Sequence, residues 1–246
     1  MADIRVYPDP PAVARAAADT IVSCARDARS AGRPFALVLS GGSTPNLLYE
    51  LLAADPYCSR IDWPNVEIYF GDERAVPPDH ADSNFRMASG SLLSRVPLKP
   101  ENIHRMRGEI DPTEAAIEYG RMLKTRFGDT GGPDLTLLGM GDDGHTASLF
   151  PGTPAIHETH HRCVAQFVEK STTGRSWRIT LTAPFLNRSA CVLALITGAG
   201  KAVRLREVLH GARDPERLPI QLIQPAPGRM QWLLDTPAAG QLQAQL

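Results

Sequence analysis

A histidine stands two residues after an aspartate in the run Gly139-Met140-Gly141-Asp142-Asp143-Gly144-His145. A carboxylate that near can orient an imidazole, and imidazole moves protons near neutral pH. His145 with Asp143 is therefore a candidate general base; the plainer reading is a histidine that caps a turn. Asp72-Glu73-Arg74 offers a second set. A guanidinium fork suits bidentate contact with a phosphate or carboxylate, and the plainer reading is a solvated turn. Lys201 follows Gly198-Ala199-Gly200 at the start of an expected helix, where the dipole disfavours a cation. An anion bound between them would account for it; a solvated lysine is the alternative. Lys201 also stands out by composition, because only Lys99, Lys124, Lys170 and Lys201 among 26 basic residues are lysines. Arg178, in Trp177-Arg178-Ile179-Thr180-Leu181, is a third possible cation.

The loop Gly41-Gly42-Ser43-Thr44-Pro45 offers a different chemistry. Glycines let backbone approach a ligand closely, and helix N-terminal N–H groups attract anions. The loop reads either as an anion cradle or as a tight turn with Ser43 or Thr44 as helix cap. It lacks the GxxxxGK[ST] pattern of a P-loop.

Two further patterns mislead. Gly139 to Gly144 spells GxGxxG after a strand, but Asp142 and Asp143 would set negative charge where a pyrophosphate should lie. Pro151 soon follows, so any helix there is short, and the better reading is a turn that presents His145. His157-Glu158-Thr159-His160-His161 spells HExxH. A zinc protease needs that pentad inside a helix. Pro151 and Pro154 upstream and the β-like Cys163–Val168 downstream indicate a solvent loop, so no metal site is expected.

These residues need elements to position them. Val13, Ala17, Ile21, Cys24 and Ala28 recur at helical steps after Pro10-Pro11, and Gly32 and Pro34 end that helix. Phe35–Leu39 is a continuous apolar run, the mark of a strand buried on both faces. A helix with Leu47, Leu48, Leu51 and Leu52 follows the Gly-rich loop. Val66–Phe70 reads as a strand ending at Gly71-Asp72-Glu73-Arg74. Asp134–Leu138 ends at Gly139, and Cys191–Ile196 ends at Thr197-Gly198 before a helix from about Lys201 to His210. Strands alternating with helices predict an α/β fold with a mainly parallel sheet covered on both faces. Cys163–Val168 and Arg178–Leu181 lack a long helix between them and predict a small antiparallel edge or subdomain. With no linker and no repeat, one domain spanning 1–246 is expected. In such sheets ligands bind outside the carboxyl ends of the strands, which gathers residues 40–46, 71–74, 139–145 and 197–201 into one predicted site.

Composition narrows the class. The 246 residues are 43% hydrophobic and carry 26 basic against 27 acidic side chains, a net charge of −1. That balance argues against nucleic-acid binding and is compatible with a monomer, the expectation here. No apolar run approaches a membrane span of about 18 residues. MADIRVYPDP shows no apolar signal region. Cys24, Cys58, Cys163 and Cys191 are widely spaced without a CxxC pair, as expected of mostly buried thiols in a reducing cytoplasm.

Taken together, the motifs resemble the 6-phosphogluconolactonase family across nearly the whole chain. They are LSGGSTPNLLYELL (39–52), W-x-x-V-x-x-Y-F-x-D-E-R-x-V-P (63–77), H-A-D-S-N (80–84), DLTLLGMGDDGHTASLFPG (134–152), RITLT (178–182), TGAGKA (197–202) and WLLD (232–235). The GGSTP loop also looks like glucosamine-6-phosphate deaminase, but Ser148-Leu149-Phe150-Pro151 departs from the Asn-Glu-Pro segment expected there. The resemblance implies a Rossmann-like three-layer sandwich. It also implies hydrolysis of 6-phosphoglucono-δ-lactone in the oxidative pentose phosphate pathway, with no cofactor. On that reading His145 activates water, Asp143 orients it, and backbone N–H groups near Gly41–Thr44 or Gly139–Gly144 meet the oxyanion. Arg74 and Lys201 hold the phosphate, and Asp72 and Arg178 complete the substrate-binding set. Ser43 and Ser148 are not nucleophiles, since neither sits in a GxSxG elbow. Two alternatives remain. One is a deaminase/isomerase with Asp72 as the base on carbon. The other is a non-catalytic sugar-phosphate sensor, against which the retention of both His145 and Asp143 argues.

Overall fold

The computed structural model describes residues 3–169, 176–226 and 228–242. Apolar runs become the inner strands of a six-stranded sheet. These are β2 (Phe35–Leu39), β5 (Leu135–Leu138) and β8 (Cys191–Ile196), every residue of which is buried. With β1 (Asp3–Tyr7), β3 (Val66–Phe70) and β9 (Arg229–Asp235) they form the order β1-β9-β8-β5-β2-β3, each neighbour parallel. Alternate residues of one strand serve opposite faces, because side chains alternate across a sheet. Leu193 and Leu195 enter the larger core with Ala17 and Ile21 of helix α1 (Pro10–Ser30). Between them Ala194, with Ile196, enters a smaller core that includes Leu205. The protein is thus an α/β fold with helices on both sides of a mainly parallel sheet.

Helix α1 begins where Asp9 accepts the Ala12 N–H at 2.7 Å and two prolines occupy the first turn. Helix α2 (Ser43–Leu52) starts differently from either capping expectation. Gly42, at φ 112°, is the cap residue, and no side chain caps the helix. The left-handed turn of that glycine puts Ser43 inside the helix, while the Thr44 hydroxyl pairs with Thr197 at 2.7 Å across the strand ends.

A second sheet has the order β4-β7-β6, made of β4 (Asp72–Arg74), β6 (Cys163–Val168) and β7 (Ser176–Leu181), all antiparallel. Its two longer strands are the short β-like runs expected from the sequence. The third corrects that reading, for Asp72-Glu73-Arg74 is neither the end of β3 nor a solvated turn. Gly71 breaks the chain between the sheets: its N–H bonds to Leu39 of the first sheet and its carbonyl accepts from Leu181 of the second. Helix α3 (Asn84–Ala88) follows β4 and α4 (Pro112–Phe127) precedes β5, and short α5 (Ala183–Leu186) follows β7. Helix α6 (Ala202–His210) follows β8, and α7 (Thr236–Ala239) follows β9.

The four cysteines are free thiols: Cys163 and Cys191 are buried, Cys24 and Cys58 half-buried. Among the described residues no helix is long and apolar enough to cross a membrane.

Candidate active site

The carboxyl ends of β2, β3, β5 and β8 open onto a cavity of about 510 Å³. Gly41, Gly42, Ser43, Asp72, Arg74, Asp143, His145 and Lys201 of the predicted site line it. Thr44 and Arg178 do not. Thr44 is turned toward Thr197. Arg178 lies in β7, paired with Arg74 in the strand register, and is 2% exposed. Burial and the nearby Arg74 charge lower its pKa. It neighbours the cleft through Arg74 without lining it.

One wall of the cleft is the turn from β5. Gly144 N–H donates to the Gly141 carbonyl, and Gly141 N–H to that of His145, closing the loop. No helix follows, so the GxGxxG letters lack the context of a dinucleotide site. Asp143 Oδ1 accepts both the His145 N–H at 3.1 Å and His145 Nδ1 at 2.6 Å. A carboxylate there assigns the proton to Nδ1 and leaves Nε2 as the basic atom. Burial raises the Asp143 pKa, but the hydrogen bond and charge of His145 outweigh it and hold the carboxyl below its ordinary range. Phe150 stacks on the imidazole with centroids 4.1 Å apart. A Cβ on Gly141 would lie 2.1 Å from Nδ1, so only glycine lets the ring sit there. Ala147 lines the cavity at φ +46°, a left-handed conformation that disfavours a side chain.

The opposite wall is β4 with the segment 80–85. Arg74 Nη1 donates to the Asp82 carbonyl at 2.8 Å and to Asn84 Oδ1 at 2.9 Å. Asn84 Nδ2 donates to the carbonyl and to Oδ1 of Asp72. Ser148 completes the hold on Asp72, donating to Oδ2 at 2.6 Å. Below them Glu73 is 2% exposed. It accepts the N–H groups of Arg74, Asn84 and Phe85, each at 2.8 Å, and the Ser83 hydroxyl at 3.1 Å. Burial pushes the Glu73 carboxyl up against the pull of those donors.

The remaining sides are the α2 N-terminus and Lys201. Tyr49 fixes the first by donating to the Ser40 carbonyl and accepting the Ser40 N–H. Lys201 Nζ sits 2.5 Å from Asp142 Oδ1. Asp235 anchors the approach to Lys201, since both its oxygens accept the Gly198 N–H at 3.0 Å.

The sequence reading missed Asn84 and the burial of Glu73. Asn84 lies within the H-A-D-S-N motif, so its position was visible but its bonds were not. The HExxH letters do not make a metal-binding helix. A short turn, Pro154–His157, ends at the first histidine, which faces Glu216, while His161 faces Glu158. Among the described residues no group of three or more His, Cys, Asp or Glu side chains could hold a metal ion.

A parallel sheet with an imidazole–carboxylate pair and two cations around one cleft at its strand ends is the arrangement of an α/β enzyme. Residues 8–232 match the family described as Glucosamine-6-phosphate isomerases/6-phosphogluconolactonase, and the chain belongs to that family. A 6-phosphogluconolactonase from Nostoc sp. is 37% identical over 97% of this chain and 98% of its own length. One from Synechocystis sp. is 40% identical over 84% of each chain. The solved 6-phosphogluconolactonase from Trypanosoma cruzi superposes with a TM-score of 0.87 at 28% identity, covering 99% of this chain and 98% of that one.

Proposed function

We propose that the protein hydrolyses 6-phosphoglucono-δ-lactone to 6-phosphogluconate with His145 as general base. The observation that carries this is the 2.6 Å contact between His145 Nδ1 and Asp143 at the edge of a cleft with two cations. Nε2 of His145 takes a proton from water as the oxygen adds to the lactone carbonyl. The tetrahedral intermediate collapses, the bond to the ring oxygen breaks, and the imidazolium returns its proton to that oxygen. Asp143 keeps Nδ1–H as a donor throughout and stabilises the transient imidazolium. A lactone is an activated ester, so no covalent intermediate with the enzyme is needed.

Arg74 and Lys201 bind the phosphate and so fix the carbonyl relative to His145. The N-terminus of α2, with no side-chain cap, supplies N–H groups for the oxyanion or a phosphate oxygen. In the β5 turn the N–H groups of Gly141, Gly144 and His145 are already bonded, which favours α2 for that task. Asp72 is held by Asn84 and Ser148 and orients substrate hydroxyls. Arg178 supports Arg74 from the neighbouring strand. The setting is the oxidative pentose phosphate pathway, named by the relatives' substrate.

The test is the rate of lactone loss above its spontaneous opening, for the wild type and His145→Ala. The reading expects a large wild-type rate that the variant loses while still binding 6-phosphogluconate. A wild-type rate equal to the blank overturns it. Ammonia release from glucosamine 6-phosphate would then point to a deaminase, and ligand binding without turnover to a sensor.

A further inference from the structure

The cleft holds one more carboxylate than the proposed chemistry uses. Asp72, Asp142 and Asp143 line it against two permanent cations, Arg74 and Lys201. A phosphate monoester carries close to two negative charges at neutral pH. Such a ligand meets a cleft whose carboxylates outnumber its Arg and Lys cations. Two of the three carboxylates are pinned, Asp72 by Asn84 and Ser148 and Asp143 by His145. The Asp142 side chain is 77% exposed, and its recorded partner is Lys201 at 2.5 Å. Its backbone is held, because Arg204 Nε donates to the Asp142 carbonyl at 2.9 Å. Only the carboxylate needs to rotate into solvent, and once it does the lining charges balance.

We infer that Asp142 is a specificity-determining residue, an internal counter-ion that a ligand's phosphate must displace from Lys201. The inference rests on the phosphate-binding part of the reading above. The two cations thus differ in kind. Arg74 donates to neutral acceptors, whereas Lys201 is paired directly with a carboxylate until a stronger anion arrives. A doubly charged phosphate outbids a single carboxylate for the ammonium, and a ligand without phosphate leaves the pair closed. The same carboxylate re-forms the pair when product departs.

The experiment is a double-mutant cycle of Asp142→Asn and Lys201→Gln. Inorganic phosphate and 6-phosphogluconate are titrated into each folded protein by calorimetry. With Lys201 present, Asp142→Asn should tighten both ligands about two- to fivefold, the range of an exposed ion pair. The gain should shrink at high salt and vanish in the Lys201→Gln background. KM for the phosphorylated lactone should fall alongside, and that for unphosphorylated gluconolactone should not move. Unchanged or weaker binding in Asp142→Asn overturns the inference. So does an equal gain in both backgrounds, which would make Asp142 a general repulsive charge, and so does failure of the wild type to bind phosphate. The titrations need no turnover. A cycle that holds in a protein without lactonase activity sinks the proposed reaction alone, and an active lactonase with a flat cycle sinks this inference alone.

Discussion

The two walls of the cleft are built on opposite plans. The β4 wall is buried and cross-braced, with Glu73 collecting four donors and Asn84 tying Arg74 to Asp72. The β5 turn is more open: the Asp143 side chain is 46% exposed, and its chief partner is the histidine it orients. Buried polar groups must be satisfied inside the protein, so the first wall is fixed as the chain folds. A base that exchanges protons with a ligand needs access, so the second wall is held by fewer bonds. On the proposed reaction, position falls to one side and proton transfer to the other.

The strongest test of that division is His145→Ala. Removing a positioned general base should lower kcat by about a hundred- to ten-thousandfold and leave thermal melting close to wild type. A large loss of stability would show the turn to be structural after all. Next comes Glu73→Ala, which strands three N–H groups and a hydroxyl in the interior. It should cost about 3 kcal/mol in urea unfolding, and a melt matching the wild type would break the picture of a braced wall. Asn84→Ala should act mostly on binding. Arg74 loses one of its two acceptors, and KM should rise roughly tenfold with a smaller change in kcat; the reverse pattern would move Asn84 into the chemical step.

The smallest effect is also the sharpest contrast, because the key carboxylates of the two walls shift in opposite directions. Asp143 titrates below its ordinary value in the folded chain. Its stabilisation is complete above the unfolded value of about 3.9 and is lost as pH falls through the lower folded one. Glu73 titrates above its ordinary value. Its contribution is most favourable below about 4.3 and diminishes as pH rises through the higher folded value. Stability measured across the acid range should fall less steeply at low pH in Asp143→Asn, and decline less toward neutral pH in Glu73→Gln, than in the wild type. Identical slopes in both variants would erase the distinction.

The sequence was most legible where one physical rule dominates. Unbroken apolar runs marked β2 and β8, mostly apolar runs marked β3 and β5, and Gly-rich strand ends marked where the cleft opens. The turn presenting His145 was readable because its neighbours ruled out the competing motifs. Charged triplets carry no such pattern. Asp72-Glu73-Arg74 is a strand because it pairs with β7, and Glu73 is buried where backbone donors from residues 84 and 85 reach it; no local rule foretells partners so far along the chain. Strands β1 and β9 were also unread, since Asp3–Tyr7 and Arg229–Asp235 mix charge with apolar residues; β9 is a strand by pairing with β8 and β1, and β1 by pairing with β9. Thr44 and Arg178 show the limit of naming residues by type. Neither lines the cleft: Thr44 turns to Thr197, and Arg178 is buried beside Arg74 in the strand register.

The place of β9 between β1 and β8 has a consequence for how the molecule is made. A ribosome delivers β1 first among the described strands and β9 last, so β1 must wait through more than two hundred residues for its neighbour. Asp235, at the end of β9, is the group that secures the Gly198 bend leading to Lys201. A nascent chain halted before residue 229 would therefore carry its histidine turn but lack the fastening for its lysine. The lysine side of the cleft is therefore fastened only once β9 has been made, long after the histidine turn.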